Sequence, residues 1–359
     1  MRGILLALAG AAVVVGIALL SLRLPGVENA LYERTVGERF DPARASLFDD
    51  SGLKIFFCGT GSAAPSVKRA QSCTGVIFGN RIFLVDVGAG SWERIEAAGI
   101  SGQRLGGIFL TSLKADHIGD LGEANVGSWT GGRYAPLAVF GPTGVERVVA
   151  GFNEAYAVDN DYRLRHFGPG IAPPLTAGLD ARPFDPAPTP DGQSPVVFAE
   201  SGFVARVFPV KKGENELASV GYKFFYKGRT VVISGDTTYT EALVEQARDA
   251  DLLIHEGQSN AMIASLAAAA KNAGQENLSL ILQDMPASHT SPEDAARAAT
   301  AAGADWLVLT HLAPPPDSDV ARRIFLRGVE KFRSKNVRLA EDGLLISLPE
   351  AGGIEFSKL

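Results

Sequence analysis

The chain has 359 residues, 46% of them hydrophobic and 21% charged, which is enough for one large or two small cores. Its 40 glycines and 20 prolines call for many turns and exclude a plain helical bundle. A net charge of −6 leaves no basic footprint for a phosphate backbone, which argues against a nucleic-acid partner.

Residues Gly3 to Leu22 carry no charge and one hydroxyl, Ser21. As a helix, about twenty such residues rise about 30 Å, enough to cross a bilayer's hydrocarbon core. Residues 1–22 are therefore expected to be a transmembrane anchor. A signal sequence is the alternative, although no A-x-A cleavage site follows. A short tail kept in the cytoplasm puts the main domain outside, in a periplasm-like space, or secreted if the segment is cleaved. Residues 23–52 form a charged juxtamembrane segment, with a short helix expected around Val27–Val36.

From Leu53 the chain turns to short β-rich runs, KIFFC, GVIFG and RIFLVDVG, the last entering a Gly-rich turn at Asp86. Cys58 and Cys73 flank the loop between the first two runs. An antiparallel pairing there would bring them within disulfide reach, and two small buried thiols fit the same positions. SWERIEAAG has helical spacing, GIFLT is a short buried strand, and DLGEANVGSW is expected to be a helix. LAVFG is a strand and TGVERVVAGFNEAYAV an amphipathic helix. Residues 158–196 are rich in Pro, Gly and Asp and lack periodicity, so a long irregular excursion is expected there.

Strands FVARVFPV, SVGYKFFYK and RTVVISGD follow, the last two joined by a tight YKGR turn. Next come a helix (TEALVEQARD), strand DLLIHE, helical stretches AMIASLAAAAKNA and Leu278–Gln283, and helix PEDAARAATAAG. Strand WLVLTHL, helix SDVARRIFLRGVEKFR and two closing strands complete the chain. β-rich stretches open each half and helices follow them, which predicts two packed sheets with helices outside.

Of the five histidines, His117, His255 and His311 each follow a predicted buried strand, whereas His166 and His289 do not. Asp236, in VVISGD, also ends a strand. Strand C-termini are where α/β proteins commonly place functional side chains. Asp116, His117, Asp236 and His311 supply two imidazoles and two carboxylates, a donor set suited to Zn²⁺, Mn²⁺ or Fe²⁺.

Taken in order, GTGSAAPS, FLVDVGAG, TSLKADHIGDLGE, VISGDT, LLIHE, HTSPEDAA and LVLTHL resemble the motifs of the metallo-β-lactamase fold, in its ribonuclease Z-like branch. The resemblance implies that residues 53–350 form an α/β domain, a four-layer αββα sandwich with the site between the sheet edges. It implies hydrolysis of phosphodiesters or related esters with two metal ions activating water. Asp116, His117, Asp236 and His311 would be the ligands of the second metal, and Asp86 the buried carboxylate that supports the ligand loops. Glu256 and His289 would be the acid pair, which with Asp116 makes up the catalytic set.

The family's first motif, His-x-His-x-Asp-His, is here Ser112-Leu113-Lys114-Ala115-Asp116-His117, and the mid-chain histidine aligns with Lys212, or with Lys211 if the loop slips by one. Serine is a poor zinc ligand and a protonated lysine is none. Metal site one is therefore expected to be lost, with one ion (zinc, or else manganese or iron) or none at site two. Lys114 and Lys212 would act as replacement positive charge beside Asp236 and Asp116, or else turn outward into solvent. Charges of +1 and +2 about 5 Å apart repel by roughly 7 kcal/mol at an effective dielectric of 20. Weak or absent hydrolysis of a small ester or phosphodiester is the expectation. The alternative is a catalytically silent member that binds or assembles partners at the membrane.

Overall fold

The computed structural model describes residues 22–39, 46–210 and 219–359. A helix over Pro25–Arg39 belongs to an N-terminal unit of its own. Proline at its first position and Glu28 in its first turn both suit a helix start.

The second unit carries fifteen strands among its described residues. In chain order they are β1 (Gly52–Gly59), β2 (Cys73–Phe78), β3 (Arg81–Val85), β4 (Leu105–Phe109), β5 (Leu137–Gly141), β6 (Leu179–Pro183), β7 (Val196–Glu200) and β8 (Phe203–Val210). Then follow β9 (Ser219–Tyr226), β10 (Arg229–Ile233), β11 (Leu252–Gln258), β12 (Trp306–Ala313), β13 (Val337–Leu339), β14 (Leu344–Pro349) and β15 (Glu355–Lys358). One sheet runs β15-β14-β1-β2-β3-β4-β5-β6 and the other β13-β12-β11-β10-β9-β8-β7. Both are mixed, antiparallel where hairpins join neighbours and parallel where helices intervene.

The alternation of side chains explains the layering. In β1, Leu53, Ile55 and Phe57 face the space between the sheets, while Phe56 and Cys58 face the outer helices. The inner layer is rich in aromatic rings, with Phe78 stacked on Phe203 at 3.9 Å between centroids and Phe83 5.5 Å from Phe109. Each fully buried phenylalanine there contributes about 1.5–3 kcal/mol of transfer free energy. Helices Ser91–Ala97, Leu121–Thr130 and Val145–Phe167 cover the first sheet. Helices Glu241–Gln246, Pro292–Ala301 and Asp319–Phe325 cover the second. The result is the expected four-layer αββα arrangement.

The YKGR turn closes the β9–β10 hairpin with Lys227 at φ 47° and Gly228 at φ 76°. Two consecutive left-handed residues are what a two-residue hairpin of matching twist needs. Cys58 and Cys73 form a disulfide between β1 and β2, beside an irregularity in their register.

One expectation is corrected here. Residues 158–196 are more regular than a composition rich in Pro, Gly and Asp suggests. The helix from Val145 continues to Phe167, and β6 pairs in parallel with β5 from Leu137↔Leu179 to Gly141↔Pro183. An edge strand pairs on one side only and its side chains are half exposed, so it shows no alternation in the sequence.

Candidate metal centre and acid pair

The site side chains come from loops and strand ends at one edge of both sheets. Asp86 follows β3, and Asp116 and His117 lie on a one-turn helix, Ala115–Ile118, beyond β4. Asp236 follows β10, Glu256 is in β11, His311 is in β12, and His289 precedes the helix Pro292–Ala301. Two of these residues hold a backbone conformation unusual outside glycine, Asp86 at φ 60° and His311 at φ 48°. Such conformations cost on the order of 1–3 kcal/mol and persist where the surrounding structure enforces them. Gly235 sets the path into Asp236: its φ is +62°, and a Cβ there would meet the Val220 carbonyl oxygen at 2.2 Å. Gly88 is fixed similarly, since a Cβ would lie 2.2 Å from the carbonyl oxygen of Asp116.

Asp86 organises the first half of the site. Its carboxylate accepts from the Thr111 backbone N–H at 2.8 Å, the Thr111 hydroxyl at 2.7 Å and the Ser72 hydroxyl at 3.2 Å. It also holds His117 Nδ1 at 2.8 Å. With Nδ1 taken, His117 Nε2 points inward, 3.4 Å from Asp236 Oδ2 and 3.8 Å from Asp116 Oδ2. His311 Nε2 faces the same two carboxylates, 3.1 Å from Asp116 Oδ2 and 3.4 Å from Asp236 Oδ1. All four residues are buried.

This arrangement fits a divalent cation. His117 Nε2 is buried without a hydrogen-bond partner, while its other nitrogen is held by a carboxylate, the outer contact that metal-binding imidazoles commonly have. Asp116, His117 and His311 offer donor atoms close enough to share one ion. Asp236, Glu256, His289 and His311 make a second, overlapping group.

The carboxylates around the two imidazoles favour their charged forms. Burial opposes the charged form of His311, but Asp236, Asp116 and Glu256 outweigh it and push its pKa up to about 10. Burial opposes the charged form of His117 too, and Asp86 and Asp236 carry its pKa upward. Burial would raise the Asp116 carboxyl, but the His311 hydrogen bond and the two imidazoles hold it well below the usual range.

Beside this cluster, His289 Nδ1 meets Glu256 Oε2 at 2.5 Å, and Glu256 Oε1 accepts the Thr237 backbone N–H at 2.6 Å. Desolvation works against the Glu256 carboxylate, yet His289 and His311 keep its pKa low. Glu256 Oε2 lies 3.6 Å from His311 Nδ1, so the acid pair adjoins the imidazole cluster. His255 sits apart, with Nδ1 2.9 Å from the Glu256 carbonyl oxygen, and burial lowers its pKa.

Ser112 is buried, and its hydroxyl accepts the Lys114 backbone N–H at 3.3 Å. Lys114 Nζ reaches 4.0 Å from Asp236 Oδ2 with its side chain 41% exposed, so it is neither fully turned inward nor fully solvated. Lys211 and Lys212 lie outside the described residues. The contributions of Thr111, Ser72 and Thr237 were not foreseen. For Thr111 a signal exists, a hydroxyl at the strand end directly before the Ser112–His117 motif.

Residues 81–312 match the model of the Beta-lactamase superfamily domain. Ribonuclease Z of Mycolicibacterium paratuberculosis is 32% identical over 265 residues, covering 73% of this chain and 86% of the relative. Ribonuclease Z of Mycobacterium avium matches to the same extent. Among solved structures, the short form of human tRNase Z aligns with a TM-score of 0.58 at 23% identity, over 82% of this chain and 99% of that one. A metallo-beta-lactamase fold protein of Bacillus subtilis aligns with a TM-score of 0.57 at 19% identity, over 82% and 98%.

Two expectations are corrected by these findings. The acidic balance argued against a nucleic-acid partner, yet the relatives are ribonucleases by name. Net charge is a sum over the whole surface and does not report the local field at a site. The membrane-anchored or secreted, extracytoplasmic placement is also contradicted, by the likeness to relatives that are ribonucleases by name. No helix among the described residues is long and apolar enough to cross a membrane. Residues 1–21, where the anchor or signal sequence was expected, lie outside the described residues. By domain match, sequence identity and fold, the chain belongs to the metallo-β-lactamase superfamily, with ribonuclease Z among its relatives.

Proposed function

We propose that this protein is a ribonuclease Z-like hydrolase that holds at most one divalent cation, through Asp116, His117, Asp236 and His311, and cleaves phosphodiester bonds weakly or not at all. Zinc suits the mixed imidazole and carboxylate donors, and manganese or iron are the alternatives. When bound, such an ion lowers the pKa of water and polarises the phosphoryl oxygen. The other steps fall to this chain's own residues. Asp116 accepts a proton from the attacking water, whose oxygen bonds to phosphorus. As the bond to the leaving oxygen breaks, His289 donates a proton to that oxygen, and Glu256 orients the ring through its contact with Nδ1.

The observation that carries this reading is the asymmetry around Asp236. On one side His117 and His311 approach it within 3.4 Å, and on the other the Lys114 ammonium stands 4.0 Å away. An ammonium at that position supplies charge without a lone pair. The same lysine favours the second reading, a silent member that keeps the fold for binding.

Metal content by mass spectrometry, together with turnover of bis(p-nitrophenyl) phosphate with added Zn²⁺ or Mn²⁺, separates the two. One equivalent of metal and a slow turnover lost in His289→Ala are expected. Two equivalents would refute the loss of site one, and stoichiometric metal with no turnover would leave only the binding role.

A further inference from the structure

Between Glu256 and His289 the chain inserts a helical hairpin, Asn260–Asn272 and Glu276–Asp284. The hairpin has a small core of its own, with Ile263, Ala267, Ala270 and Leu282 buried and Met285 packed on them. The Ser279 hydroxyl donates to the Ala267 carbonyl at 2.9 Å and ties the two helices together. Each helix also carries an apolar stripe that overlaps this core at Ala270, Leu282 and Met285. On the first, Leu266, Ala269, Ala270 and Ala273 recur at the spacing i, i+3, i+4, i+7. On the second, Leu278, Ile281, Leu282 and Met285 do the same.

Both stripes line one groove of ≈ 570 Å³, closed on the far side by Ala63, Ala64 and Pro65 and by Pro314 and Pro315. None of its lining residues is charged, and Gln275 alone carries a polar side chain. Leu266 and Ile281 are 44% and 62% exposed, so among the described residues the groove is a concave apolar surface left uncovered. The volume falls within the range of pockets that take small organic groups.

The groove is continuous with the candidate site along the chain. Pro314 is three residues from His311, so their Cα atoms are at most about 11 Å apart. Met285 is four residues from His289, at most about 15 Å. The wall at residues 63–65 is anchored beside His311 as well: the Leu312 N–H donates to the Thr60 carbonyl at 3.0 Å, and the Ser62 hydroxyl donates to the Leu312 carbonyl at 3.3 Å.

We infer that this groove is a substrate subsite that takes an alkyl or aryl group attached close to the scissile bond. The inference deepens the hydrolase reading and rests on it for the bond cleaved, while the groove's binding chemistry stands independently. The groove residues Pro314 and Met285 have their Cα atoms within about 11 Å of the His311 Cα and about 15 Å of the His289 Cα, a span that one small ester can cover.

Two measurements on the full chain test this. The first is binding of the fluorescent probe N-phenyl-1-naphthylamine, with displacement by dodecyl phosphate. The double variant Leu266→Asp/Ile281→Asp should weaken both by at least tenfold. Leu280→Asp, on an exposed residue outside the groove, should leave them unchanged. Circular dichroism confirms that the variants fold. Equal loss in Leu280→Asp, or binding undiminished in the double variant, would overturn the subsite.

The second measurement is kcat/KM for p-nitrophenyl alkyl phosphodiesters from ethyl to octyl. A rise of at least tenfold along the series, absent in the double variant, is expected, and a flat series with measurable turnover would overturn the inference. Probe binding that obeys the variant pattern with no turnover of any ester would refute the hydrolase reading and leave the apolar site standing.

Discussion

The two flanks of Asp236 differ in the side chains they place beside its carboxylate. On the His117 and His311 flank every supporting contact is in place: Asp86 is held by three donors and itself fixes one imidazole, and Asp116 meets the other. On the Ser112 and Lys114 flank the side chains are a small hydroxyl and a half-exposed ammonium. Outer contacts to a ligand are useful only while the ligand has something to hold. Their completeness on one flank is the ground for the cation site proposed there, and the lysine is the ground for proposing none on the other.

The largest effect should come from deleting the intact flank. Asp116→Ala or His311→Ala should abolish stoichiometric Zn²⁺ binding in titration calorimetry, and retained binding would move the site elsewhere. Rebuilding the other flank comes next. Ser112→His/Lys114→His/Lys212→His should bind a second equivalent of metal; a folded triple variant with one equivalent would show that the three positions do not converge. Asp86→Asn keeps the shape but weakens the hold on His117, and should reduce metal affinity about 10- to 100-fold. If affinity is unchanged, Asp86 is merely a structural residue. The smallest effect is Lys114→Met. Bare repulsion would be several kcal/mol, but exposure of this side chain screens it, so a gain of about tenfold in metal affinity is expected. A loss instead would make the lysine a supporting partner of Asp236.

Much of this site was legible in the sequence because its members follow strong local signals. Asp236 and His311 stand two or three residues beyond the apolar runs Val231–Ile233 and Trp306–Leu309, and a buried strand that leads into a polar residue is conspicuous without any partner in view. The β9–β10 hairpin was legible from YKGR because the turn chemistry is local. The hairpin helices at 260–284 were legible from their periodicity, but the groove between them was not. A groove depends on which part of an apolar stripe its neighbours leave uncovered, and that is decided by packing at a distance in the chain. The same limit hid β6 and β7, edge strands with little burial to pattern them. The left-handed backbone at Asp86 and His311 was also invisible, because it is imposed by packing at a distance in the chain. The acidic composition misled on partners because it was asked a local question.

The aromatic layer between the sheets also bears on the geometry of the candidate site. Asp86, Asp116 and His117 hang from the first sheet, and Asp236, Glu256 and His311 from the second. The donor-to-donor distances therefore measure the spacing of the two sheets, and rings such as Phe78, Phe83 and Phe203 act as the shims that set it. Trimming one shim, as in Phe83→Leu, should detune the cation site without touching any of its ligands.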